Sequence, residues 1–128
     1  ETVEVNRDWA EGWSHRWDGP WYRVRTDAFE VSFLPDADKS LDEVCNVDAE
    51  VRLSDGSRWS ATVFTLVEVA RLMGSWSDTG EAQGGRYFYC SDGLIVRDPG
   101  LQAMTEAIAG LIDSGEFDQV FQRLDGLK

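Results

Sequence analysis

Few side chains in this sequence are of the kinds that do covalent chemistry, and their spacing tests each class in turn. Nucleophilic catalysis by Ser or Cys needs a base within hydrogen-bond reach and a third group to orient it. The one histidine, His15, lies in the Trp-rich stretch RDWAEGWSHRWDGPWYRVR (7–25), and no GxSxG elbow occurs. Cys45 and Cys90 are the two cysteines and lack CxxC spacing, so neither a zinc site nor a disulfide framework is expected. Two free thiols fit a cytoplasmic protein. General acid/base work needs two carboxylates in different environments. Asp92, in the turn Ser91-Asp92-Gly93 beside Cys90, is the acid best placed for partial burial, but an Asp before Gly is first a turn former. Asp36, Asp38 and Ser40 alternate like the start of an EF-hand loop, yet Leu41 stands where Gly is required and Val47 where Glu is required. TGEAQGGR (79–86) has the glycines of a phosphate cradle without its GK[ST] ending. No catalytic residue, metal ligand or cofactor is therefore assigned, and a non-enzymatic protein is expected.

Charge carries more information. The 128 residues hold 24 acids and 12 bases, for a formal net charge of −12. Phosphate backbones and anionic membranes are held by Lys and Arg, so direct binding to nucleic acid or to a membrane surface is disfavoured. The acidity is local: residues 27–50 carry eight acids and one base, Lys39, residues 98–118 carry five acids and no base, and the remainder is balanced. Asp36, Asp38, Asp42, Glu43, Asp48 and Glu50 are the residues expected to meet a basic partner, with Trp13 and Trp17 as aromatic anchors.

The elements that must position these groups follow from periodicity. Trp9, Trp13, Trp17 and Trp21 recur every four residues, which predicts a short N-terminal helix ended by Gly19-Pro20. AFEVSFL (28–34) alternates as a half-buried strand, and the acidic stretch after Pro35 reads as a loop. AEVRL (49–53) and RWSATVF (58–64) flank an Asp-Gly turn and predict a hairpin. Thr65 and Glu68 form a capping box ahead of a central helix, Leu66 to Trp76. RYFYC (86–90) and LIVR (94–97) predict a second hairpin. Asp98 with Pro99 opens a helix whose apolar face is Leu101, Met104, Ile108, Leu111 and Ile112, and Gly115 separates it from a short helix holding Phe117, Val120, Phe121 and Leu124. The sum is one α+β domain over 1–128, with a single mainly antiparallel sheet of about five strands and N-terminal, central and C-terminal helices packed on it. No apolar run is long enough for a membrane span, and Glu1 in first place is compatible with a trimmed leader.

SDGSRWSATVFTL (54–66), TGEAQGGRYFYCSDGLIVRD (79–98) and LIDSGEFDQVFQRLD (111–125) resemble a group of short bacterial α+β proteins similar in character to toxin-neutralising immunity proteins. The resemblance implies a fold and carries over no catalytic residue. Combined with the acidic segments, it points to an immunity-type inhibitor that docks on a basic partner such as a nucleic-acid-targeting toxin. Two other readings stay open: a small-ligand domain or weak enzyme with a Trp-lined pocket between the sheet and the N-terminal segment, and a structural subunit of a larger complex.

Overall fold

A computed structural model describes residues 9–125. Strands β1 (Ser14–Asp18), β2 (Trp21–Arg25), β3 (Phe29–Phe33), β4 (Asn46–Leu53) and β5 (Arg58–Thr65) form an antiparallel meander. Helix α1 (Leu66–Thr79) then carries the chain back, so that β6 (Gly93–Val96) adds to β5 in parallel, Thr62 opposite Gly93 and Thr65 opposite Val96. Helices α2 (Leu101–Ser114) and α3 (Phe117–Val120) follow, and the two-residue β7 (Gln122–Arg123) closes on the other half of the β5 edge. The protein is thus α+β with a mainly antiparallel sheet of seven strands, two more than expected.

The expected N-terminal helix is instead the β1–β2 hairpin; Arg7 and Asp8, where that helix was to begin, lie outside the described residues. A four-residue spacing is a multiple of the strand period as well as close to the helical one, so the Trp ladder could not separate the two. The alternation in WYRVR was the better signal: Tyr22 and Val24 are buried, while Arg23 and Arg25 lie on the other face. RYFYC is not a strand. Its Phe88 turns inward to stack on Trp76 and to meet Phe64 edge-on, while Tyr87 and Tyr89 face solvent. The second hairpin is therefore absent, and β6 pairs with β5 alone among the described strands.

Four boundaries also differ, the first that of β4, which begins at Asn46 and takes residues 46–48 from the expected loop. α1 runs to Thr79 and is followed by a helical turn, Glu81–Gly85, in which Ala82, Gln83 and Gly84 adopt left-handed backbone. α2 begins at Leu101 with Gly100, not Asp98, at its N-cap, and the Asp98 carboxylate is held by Arg97. The last helix is a single turn, and Leu124 lies beyond it, exposed.

Alternation fixes what each sheet face meets. Tyr22, Val24, Phe29, Val31, Phe33, Val47, Ala49, Val51, Ala61 and Val63 form one apolar face, covered by Leu101, Met104 and Ile108 of α2 and by Phe117 and Phe121. The opposite face is polar across the meander: Arg23 pairs with Asp18, Arg25 with Glu30 and Arg58 with Glu50. At the β5 end it turns apolar, where Phe64 and Phe88 pack beside Trp76 of α1.

Candidate functional site

The β3–β4 loop leaves the sheet at Leu34, turns back through a hydrogen bond from the Lys39 amide to the Asp36 carbonyl (3.3 Å), and passes through a 3-10 turn, Leu41–Glu43. α2 then pins it. The Gly100 amide donates to the Val44 carbonyl at 2.8 Å, with Gly100 at φ +100°. A Cβ there would stand 3.0 Å from the Asp42 carbonyl oxygen, so this contact and this backbone both require glycine.

Against this frame the six expected acids divide. Asp36, Asp38, Asp42 and Glu43 are exposed on the loop and make no ion pair among the described residues. Asp48 and Glu50 lie on the polar sheet face, where Asp48 accepts from the Thr62 hydroxyl at 2.9 Å and Glu50 from Arg58 at 3.0 Å. The second acidic segment divides as well. Asp98 lies two residues from the Gly100 contact, whereas Asp113, Glu116 and Asp118 are at the far end of a 14-residue helix, about 20 Å away at 1.5 Å per residue.

The two anchors also separate. Trp17, Tyr22, Phe33 and Ala49 form one row across the sheet, so Trp17 is at the end from which the acidic loop springs, two strands from it. It is 47% exposed and meets Tyr22 edge-on at 5.2 Å. Trp13 precedes β1 at the other end and is half-buried against the core. His15 stacks on Trp9 at 4.3 Å, and its Nδ1 is hydrogen-bonded to the Tyr22 hydroxyl. Burial lowers the His15 pKa and raises that of Tyr22.

The same loop walls one side of a cavity of about 640 Å³, with the first turn of α1 on the other. Asp36, Lys39, Cys45, Asn46, Glu68 and Arg71 supply its polar groups and the exposed Val67 its apolar surface, while Val44, also at its wall, is buried in the core; no Trp lines it. Glu68, 7% exposed, accepts from Nε and Nη2 of Arg71, both at 2.8 Å, and from the Asn46 amide at 3.5 Å. The Arg71 hydrogen bonds hold the Glu68 carboxyl below its ordinary range against the opposing effect of burial. Only half of the expected capping box forms. Thr65 caps the Glu68 amide at 3.1 Å, but the Glu68 side chain turns to Arg71, and the Thr65 amide donates to the Cys45 carbonyl. Burial and then Glu68 push the Cys45 thiol up, Lys39 and Arg71 oppose them, and its Sγ donates to Glu68 at 3.7 Å. Sequence reasoning missed this site because it is split between a loop and a helix more than 20 residues apart; Glu68 and Arg71, i and i+3 on a helix, were its one local signal.

Comparison with protein-family models, curated proteins and solved structures finds no match. The reading of the site therefore rests on its own geometry.

Proposed function

We propose that this is a non-enzymatic binding protein whose β3–β4 loop docks on a basic protein partner, in the manner of an immunity-type inhibitor of a nucleic-acid-targeting toxin. The observation that carries the reading is the fixed, unpaired state of the loop acids. Asp36, Asp38, Asp42 and Glu43 have no internal cation among the described residues, and the Gly100–Val44 hydrogen bond holds the segment against α2. A held loop loses little freedom on binding, and its field steers a basic partner toward it. Enzymes that act on nucleic acid carry basic clefts, which such a surface would occlude. Trp17, half-exposed at the same end of the sheet, offers an aromatic anchor, while Asp48 and Glu50 are spent largely on Thr62 and Arg58.

Immobilised protein should capture a basic protein from the lysate of its native host at about 0.05 M salt and release it near 0.5 M, where the Debye length shrinks to a few ångströms. The captured protein should be a nuclease or other nucleic-acid enzyme that added protein inhibits. A variant with D36N, D38N, D42N and E43Q together should lose the capture. If no basic protein is retained, or if the quadruple variant retains it equally, the reading fails.

A further inference from the structure

The cavity between the loop and α1 is lined by charges of both signs in a way that surface solvation does not require. Asp36 and Lys39 stand at the two ends of one turn, closed by their backbone hydrogen bond, and both residues line the cavity. Lys39 is the one base between residues 27 and 50 and has four acids of its own loop within a few residues. It nevertheless makes no ion pair among the described residues. Across the cavity Arg71 is oriented by its fork on buried Glu68, which uses Nε and one hydrogen of Nη2 and leaves Nη1 without a hydrogen-bond partner among the described residues. An arginine oriented in this way by a carboxylate is prepared to meet a second anion without reorganising.

Summed over the cavity, Asp36, Glu68, Lys39 and Arg71 cancel, within a protein of net charge −12. The overall field opposes a free anion, and a free cation on Asp36 would meet Lys39, which has no ion-pair partner among the described residues. A ligand with no net charge and both signs on neighbouring atoms meets neither objection. We propose that this cavity binds a small zwitterion of the α-amino-acid type, its carboxylate between Lys39 and the outer edge of Arg71, its ammonium on Asp36, and its side chain against Val67. The site shares Asp36 with the docking loop but needs none of Asp38, Asp42 and Glu43, so a D38N/D42N/E43Q variant that loses the partner should still bind the amino acid.

The test is an NMR titration of the full ¹⁵N-labelled chain with glycine, alanine, serine and glutamine. Acetate and methylammonium serve as the separate halves of the ligand. At about 10 mM, enough to fill most of a site with a Kd near 1 mM, an amino acid should shift the Asn46 side-chain amide and the Val67 backbone amide, and neither half alone should do so. D36N and K39Q change exposed loop residues that leave the core untouched, and each should weaken binding about tenfold, the effect expected of one charge-assisted contact. Unchanged thermal midpoints for both variants would assign that loss to the site. Absence of shifts with every amino acid overturns the proposal. So do equal shifts from acetate alone, or D36N and K39Q variants that bind as the wild type does.

Discussion

Arg71 grips Glu68 through two parallel hydrogen bonds of 2.8 Å, one turn apart on α1, and so favours the ionised form of a 7% exposed carboxylate in the wall of a cavity. Arg71 itself is mostly exposed, so it is loss of the arginine, not of the glutamate, that would leave an unpaired buried charge. The pair's pH signature has a defined sign. The folded-state pKa of Glu68 is depressed, so the pair's contribution is fully present above the ordinary value of 4.5 and disappears as pH falls through the depressed one. R71Q should therefore be less stable than wild type at pH 7, with the gap closing in acid. Urea unfolding of both proteins from pH 7 to pH 3 measures it, and a gap independent of pH would contradict the assignment.

His15 supplies a second titration, at higher pH. Burial lowers its pKa below 6.5, so folding favours the neutral ring that bonds to the Tyr22 hydroxyl. The sign again follows from linkage: stability is greatest above 6.5 and is lost as pH falls toward the folded-state value. H15Q should flatten the stability profile in that window while leaving the acid limb governed by Glu68 intact. Unfolding curves at half-unit pH steps separate the two.

Ile108 is fully buried where α2 crosses the sheet. I108A should cost about 2–5 kcal/mol, the range for large-to-small substitutions in close-packed cores. L72A on half-buried α1 should cost less, because that helix covers only the β5 end of the second face. Chemical denaturation of both variants checks the order.

G100A should both destabilise the protein and loosen the acidic loop. An L-residue at φ +100° is strained by about 1–3 kcal/mol, and the new Cβ would press on the Asp42 carbonyl. Amide exchange should quicken between Asp36 and Val44 more than in β4, and uniform quickening would mean that the contact does not hold the loop.

The division between what the sequence determined and what tertiary structure decided follows physical lines. Period-2 patterns bounded by turn residues located β3, β4 and β5, and helical spacing after Thr65 and around Leu101 located α1 and α2, because in each the local pattern and the buried face agree. Local acidity and its two segments were likewise sequence properties. The Trp ladder failed because four-residue spacing satisfies strand and helix alike; the alternation in WYRVR favoured strand, and pairing of Trp17 with Tyr22 and His15 with Val24 decided it. RYFYC failed because an apolar run does not say whether its burial comes from a sheet or, as for Phe88, from one ring packed on Trp76. The cavity lay beyond sequence altogether. Cys45 and Glu68 stand 23 positions apart, and only the sheet pairing that carries β4 beside β5 brings their side chains together. Tertiary pairing also sorted the acids, leaving Asp36, Asp38, Asp42 and Glu43 free of ion pairs among the described residues while assigning Asp48 and Glu50 to partners on β5. Charge counting sees composition, whereas neutralisation depends on which side chains the register sets opposite one another.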